Sequence, residues 1–299
     1  METFRKVEHT IYNEKVNDDI KIISISDLHY TCDINEDLLL NLFEKISKEE
    51  PNYICICGDI IDSANETCSF KNADSLFNFI ESLGTICPVI IGLGNHDIAY
   101  YDGEKWEHFF NQDFFCELNH IDNVNVLHNA FYEDKNILIA GYTQPFDYYY
   151  SGREERSIFM KRGLSSDSFQ NIETTHPKVM LLHSTLCVLN NDIQKLLKDY
   201  DLVLSGHTHE GLIPKYLCDF VSGNTGLISP SKKLFPKNAR GTIKLDDNYL
   251  IISGGITKLP KSTGLLRGFN WLYPVSIDSI TLSNNKDKIE YKRRVKYYK

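Results

Sequence analysis

The chain has 299 residues, 42% of them hydrophobic and 24% charged, a globular composition that can build a sizeable core. Its net charge of −9 argues against a broad nucleic-acid surface, which needs clustered Lys and Arg, while acidic residues can also serve as metal ligands. No apolar run approaches the roughly 18 residues of a spanning helix, METFRKVEHTIYNEKV has no signal-peptide core, and eight scattered cysteines without a C-x-x-C pair argue against a disulfide scaffold. A cytoplasmic protein is expected.

Along the chain, short apolar runs recur and each closes on polar residues. IKIISIS (Ile20 to Ser26) ends in Asp27-Leu28-His29. A helix is predicted over Asn35 to Glu50, with Asn35 as cap. NYICIC (Asn52 to Cys57) ends in Gly58-Asp59, and its cysteines Cys55 and Cys57 read as small buried hydrophobes. A second helix is predicted over Ala73 to Gly84, stopped by its glycine. CPVIIG (Cys87 to Gly92) leads into Gly94-Asn95-His96-Asp97. After the strand NILIAGY comes Thr143 to Gly163, with three consecutive tyrosines and four basic residues, Arg153, Arg156, Lys161 and Arg162. A solvated helix or a loop explains this segment. KVMLL (Lys178 to Leu182) ends in His183, a third helix is predicted over Asn190 to Tyr200, and DLVLS (Asp201 to Ser205) ends in Gly206-His207-Thr208-His209.

These runs are continuous rather than alternating, which suits strands covered on both faces. Strand and helix in alternation imply a largely parallel α/β sheet. The C-terminal third differs. Ala239 to Ile256 and Val275 to Tyr298 read as antiparallel hairpins of a second sheet, turning at Asp246-Asp247-Asn248 and Asn284-Asn285. The basic tail Lys286 to Lys299 reads as an edge strand whose charges discourage aggregation. No Pro/Gly/Ser linker divides the chain, so one domain over 1–299 is expected.

In parallel α/β sheets ligands sit outside the carboxyl ends of the strands. The residues placed there are Asp27, His29, Asp59, Asn95, His96, His183, His207 and His209. Any one of them has a plain reading as a turn, cap or satisfied polar residue. Five of ten histidines at such positions make separate plain readings a poor account of the set. Asp27 and His29, like His207 and His209, are two apart and in an extended stretch would point to one side. Gly58 and Gly206 leave room for close backbone approach. Carboxylate, imidazole and amide oxygen together suit Mn, Fe or Zn. The set exceeds the needs of one tetrahedral zinc and would serve two metals sharing a carboxylate.

In this order, DLH (Asp27 to His29), GDIID (Gly58 to Asp62), GNHD (Gly94 to Asp97), the lone His183 and GHTH (Gly206 to His209) resemble the calcineurin-like metallophosphoesterase superfamily, in its bacterial phosphodiesterase-like branch. The resemblance covers roughly residues 21–210. It implies an α/β fold, a four-layer α/β/β/α sandwich of two mixed β-sheets flanked by helices, with strands of 211–299 completing the second sheet. It implies two divalent metal ions, one held by Asp27, His29, Asp59 and His209, the other by Asp59, Asn95, His183 and His207. His96 would face the phosphate and serve the leaving oxygen as acid, with Asp97 holding its tautomer. Asp62 would be a supporting or capping residue. Cys32 lies near the expected site and reads as a loop thiol. The segment 143–176 would lie near the site mouth and help choose the substrate.

The activity implied is hydrolysis of a small phosphorylated substrate, a phosphodiester or phosphomonoester, by metal-activated hydroxide. Many branch members carry a membrane segment ahead of the first strand. None is seen here, and a membrane lipid substrate is not expected on that ground. A superfamily nuclease would add a DNA-binding region, of which there is no sign. A non-catalytic scaffold would lack a ligand or His96, and every position is filled. The residues do not separate monoester from diester, nor set an oligomeric state.

Overall fold

A computed structural model describes residues 3–62, 73–101, 104–218, 220–221, 223–229, 233–246, 248–285 and 291–298. In chain order the first half runs β1 (Phe4–Tyr12), β2 (Ile20–Ile25), α1 (Glu36–Ser47), β3 (Tyr53–Cys57), α2 (Asp74–Gly84), β4 (Val89–Gly92), β5 (Ala99–Tyr101), β6 (Trp106–His108), α3 (Gln112–Leu118) and β7 (Val124–Leu127). The second half runs β8 (Ala130–Glu133), β9 (Leu138–Tyr142), α4 (Phe146–Tyr150), α5 (Arg153–Leu164), β10 (Lys178–Leu182), α6 (Asn191–Leu197), β11 (Leu202–Ser205), β12 (Gly241–Leu245), β13 (Asn248–Ile252), β14 (Val275–Ser283) and β15 (Tyr291–Tyr298).

Two mixed sheets result. One has the order β15-β1-β14-β2-β3-β4-β7, the other β12-β13-β11-β10-β9-β8. At their centres β2, β3, β4 and β7 are parallel, as are β9, β10, β11 and β13. The period of two along each strand builds three apolar layers. Ile54 and Ile56 of β3 face outward onto Leu42 and Ile46 of α1 and Leu76 and Ile80 of α2. Cys55 and Cys57 face inward, onto Val179, Leu181, Leu202 and Leu204 of the other sheet. Met180 and Leu182 of β10 face out again, onto Met160 of α5 and Ile193 and Leu197 of α6. Helix, sheet, sheet, helix is thus the α/β/β/α sandwich. It also explains why the strands are apolar at every position: both faces are covered.

The predicted helices form; α2 ends at Gly84 as expected, whereas α1 and α6 end slightly early. Asn35 caps α1 by accepting from Asp37 N–H, and Asn190 caps α6 by accepting from Asp192 N–H. In the C-terminal third, β12 and β13 form the expected hairpin in the second sheet, although Asp247 of its turn lies outside the described residues. The expected hairpin over Val275 to Tyr298 does not form, and its strands do not complete the second sheet. β14 and β15 belong to the first sheet and lie on either side of β1, parallel and antiparallel to it respectively. The N-terminal strand has taken the place a hairpin partner would occupy. β15 is an edge strand with exposed Arg293, Arg294 and Lys296, as the basic tail suggested; residues 286–290 and 299 lie outside the described residues.

Candidate metal centre

The polar ends of β2, β3, β4, β10 and β11 meet at one place. Asp27, His29 and His209 present ligand atoms to one another, as do Asp59, His183 and His207, each group within 4.8 Å. Asp59 touches both groups. Its Oδ2 is 3.8 Å from His29 Nε2 and 3.1 Å from His183 Nε2. Asp27 Oδ1 stands 4.0 Å from His29 Nε2 and 3.8 Å from His209 Nε2. All but His207 and Asn95 are buried.

The backbone that delivers these side chains is strained. Asp27, His29, Asp59, His207 and His209 all have left-handed φ, between 47° and 67°, a region that non-glycine residues seldom adopt. The pairs two apart therefore converge through left-handed turns past the strand ends, not through extended chain as the spacing suggested. Such strain persists only where surrounding structure fixes it, and it gathers at functional sites. The glycines are there for space. A Cβ on Gly58 would stand 2.6 Å from Gly94 N and 2.7 Å from His183 Nδ1, and one on Gly206 would stand 2.6 Å from Asp27 Oδ2.

Hydrogen bonds orient the imidazoles. His183 Nδ1 donates to the Cys57 carbonyl at 2.7 Å and His209 Nδ1 to the Thr257 carbonyl at 3.0 Å. Each bond fixes a proton on Nδ1 and turns Nε2 toward the carboxylates, where its lone pair would serve a metal in the neutral ring, the arrangement typical of metal-ligating histidine. Burial, and then the neighbouring imidazole of His96, drives the His29 pKa well down. Burial and His183 do the same to His207. Both are thereby kept neutral, the form that binds metal. Burial would raise Asp59, yet His183 and His96 hold its carboxyl well below the usual range. Burial opposes a charge on His183, but Asp59 beside it pushes its pKa up to about 9.

The donor set fits a divalent metal. Both ring nitrogens of His29, Asn95 Oδ1 and His183 Nε2 are buried with no hydrogen-bond partner. Buried polar atoms are rarely left so, and a cation would satisfy the acceptors among them.

Two roles differ from expectation. Asp97 does not hold His96. Its carboxylate accepts from four backbone N–H groups, those of Asp59 (2.8 Å), Ile60 (3.0 Å), Ile61 (3.3 Å) and Gly94 (2.7 Å). It ties the loop after β3 to the loop after β4, and it acts on the imidazole through its charge, which helps to raise the His96 pKa. Asp62 takes the place beside the ring, with Oδ1 3.6 Å from His96 Nδ1. His96 itself donates its backbone N–H to Asp59 Oδ1 at 2.8 Å. Cys32 is disulfide-bonded, so it is not the loop thiol its surroundings suggested.

One residue at the site, Trp106, escaped the sequence reading, and another, Tyr149, lies in the segment expected near the site mouth. The Trp106 ring packs 4.8 Å from that of His96, and the Tyr149 ring 5.5 Å from that of His207. Tyr149 belongs to the three-tyrosine segment, which folds into α4 and α5 and so brings an aromatic side chain to the site. Two of its four basic residues serve elsewhere: Arg156 donates to the Tyr148 and Tyr149 carbonyls, and Lys161 pairs with Asp192.

Residues 20–211 match the calcineurin-like phosphoesterase family, and the chain belongs to it. A metallophosphoesterase of Campylobacter jejuni is 30% identical over 200 residues, covering 65% of this chain and 45% of that protein. One from Aquifex aeolicus is 27% identical over 259 residues, covering 85% and 84%. The UDP-2,3-diacylglucosamine pyrophosphatase LpxG of Chlamydia muridarum is 25% identical over 251 residues, covering 71% of each chain. The chain spans about half the length of the Campylobacter relative and of a Helicobacter pylori metallophosphoesterase (45% and 50%). Family and ligand groups together point to divalent metal binding. No helix among the described residues is long and apolar enough to cross a membrane.

Proposed function

We propose that the chain is a dinuclear metal-dependent hydrolase of phosphate esters. The observation that carries this reading is Asp59, whose one carboxylate faces an imidazole from each ligand group. In this reading Asp27, His29, Asp59 and His209 hold one ion, and Asp59, Asn95, His183 and His207 the other. Mn, Fe and Zn all suit the donors. When bound, such a pair lowers the pKa of water and neutralises phosphoryl charge.

The chain's own residues supply the rest. Asn95 is a neutral ligand, so the second position carries less negative charge to repel a phosphate. With Nδ1 of His96 turned to Asp62, Nε2 is left for a phosphoryl or leaving-group oxygen. Burial opposes a charge on that ring, but Asp59 and Asp62 hold its pKa above the ordinary value, as a proton donor requires. General-acid help of this kind is typically worth ~10²–10⁴ in rate. Trp106 and Tyr149 give the site aromatic walls.

The name of the Chlamydia relative specifies a pyrophosphatase, so diphosphate diesters join monoesters and diesters as candidates. The test is turnover of p-nitrophenyl phosphate, bis(p-nitrophenyl) phosphate and a nucleotide-sugar diphosphate with Mn, Zn or Fe, and with Asp59→Ala as control. Metal-dependent turnover that the control lacks is expected. A fully metal-loaded chain inert on all three would overturn the reading and leave a scaffold on the same fold.

A further inference from the structure

Large apolar side chains exposed singly are ordinary, but here they gather. Among the described residues, half of the exposed large hydrophobics fall in two short segments, 216–235 and 265–271. Leu265 is 97% exposed, Phe220 83%, Leu234 69% and Trp271 59%. The segments are neighbours: Lys215 N–H donates to the Leu272 carbonyl at 2.8 Å. Contiguous apolar surface of this kind marks a protein or membrane contact.

The patch lies beside the metal centre. Leu227 N–H donates to the carbonyl of Gly211, two residues past His209, and Phe235 N–H to the Leu227 carbonyl. On the other flank Arg267 donates to Thr31 Oγ1, two residues past His29, and pairs with Asp33 at 2.9 Å. Both apolar segments are thus tied to the loops that carry ligands.

Charge selects the occupant. Among the described residues these segments carry Lys215, Lys233, Lys237 and Arg267, the last paired with Asp33, and no acidic residue of their own. The chain as a whole has 32 basic and 41 acidic residues, so these segments reverse its sign. A second copy would meet this surface with its own positive charge across a two-fold contact. An anionic bilayer matches both features: Leu, Phe and Trp enter the headgroup–acyl boundary while Lys and Arg remain among the phosphates.

We infer that the described residues of 215–237, together with 263–272, form a docking face for an anionic lipid surface and hold the metal centre against it. A linear scan for apolar runs misses this surface because the two segments are separated in sequence and neither is continuously apolar.

The test is flotation of the full chain with vesicles of phosphatidylcholine alone or of equimolar phosphatidylcholine and phosphatidylglycerol, without any substrate. This readout is independent of hydrolysis, so its failure leaves the phosphoesterase reading standing. Binding to the anionic vesicles that weakens with added salt is expected, together with a blue shift of fluorescence that Trp271→Phe removes. The double variants Leu265→Ser/Phe220→Ser and Lys233→Glu/Lys237→Glu should each weaken binding by about tenfold or more, with circular dichroism and metal content unchanged. Absence of binding to anionic vesicles, or binding indifferent to both variants, overturns the inference. So does concentration-dependent self-association that Leu265→Ser/Phe220→Ser abolishes, which would assign the face to a second copy.

Discussion

His209 and Glu210 are consecutive, both left-handed and both buried, yet they serve polar clusters of opposite kind. Around Glu210 the protein supplies its own partners. The carboxylate contacts Arg5, lies 3.2 Å from Arg240 and 4.0 Å from Lys258, and accepts from Ser276 Oγ at 3.5 Å. Burial would raise its pKa, but Arg5 and Lys258 hold it low. Around His209 the carboxylates accept from Ser26 Oγ and from the backbone N–H groups of His96 and His207, yet His29, Asn95 and His183 keep buried atoms unpartnered. The closed Glu210 cluster balances its own charge, although Arg5 Nε and Arg240 Nε lack a hydrogen-bond partner, whereas the other, open cluster gathers acceptors that suit a cation. Glu210 also anchors the strained backbone from which His209 projects, so the closed cluster supports the open one.

The contrast can be tested by removing members of each cluster. The largest effect is expected for Asp59→Ala, which removes the carboxylate that faces both ligand groups. Activity should fall to background, and elemental analysis should show loss of both metals. A variant that retains two metals at full occupancy contradicts the bridging role.

His96→Ala should keep its metals and lose about two to four orders of magnitude in turnover. The loss should be greatest for poor alkoxide leaving groups and least for nitrophenolate, which departs without a proton. Asp62→Asn should show the same pattern to a smaller degree. Equal losses for both leaving groups would make His96 an electrostatic phosphate binder.

In the closed cluster, Glu210→Ala leaves buried cations without their counter-charge. Breaking buried pairs typically costs about 3–5 kcal/mol, and the melting temperature of the metal-free chain should fall accordingly. Glu210→Gln should fall less. No change in melting temperature would remove Glu210 from the anchoring role.

Metal itself should stabilise the open cluster alone. Saturation at a hundred times Kd adds about 2.7 kcal/mol by linkage, so chelation should lower the melting temperature of the wild type but not of Asp59→Ala.

The smallest effect concerns pH. In the metal-free chain Asp59 raises the His183 pKa to about 9, and a metal must displace that proton. Apparent metal affinity should therefore rise with pH up to about 9 and then level, as titration calorimetry at several pH values would show. Affinity that falls with rising pH in that range would contradict the assignment of His183 as a ligand.

Much of the site was legible because strand ends are local. An apolar run that stops on Asp-Leu-His or Gly-His-Thr-His announces both a buried strand and a polar purpose at its end, and the order of five such endings identified the family. The partner of His96 was not legible. Asp97 is adjacent in sequence and Asp62 is far away, but the loop after β4 turns Asp97 onto backbone N–H groups, and only the packing of β3 beside β4 brings Asp62 to the ring. Trp106 was hidden for the same reason, and Tyr149 was foreseen only as part of a segment near the site mouth: nothing in an aromatic residue's neighbours in sequence tells which imidazole it will meet.

By resemblance the order of the motifs implied the sandwich, and the sequence by itself determined the central strands, the capped helices and the ligand-type residues at the strand ends. The latter follow from apolar periodicity and short-range chemistry, which act between residues close along the chain. Tertiary structure alone decided that β1 lies between β14 and β15, that Asp97 staples two loops, and that separated loops share one apolar, basic face beside the metal centre. Each of these depends on which distant segments pack together, and no local pattern carries that information.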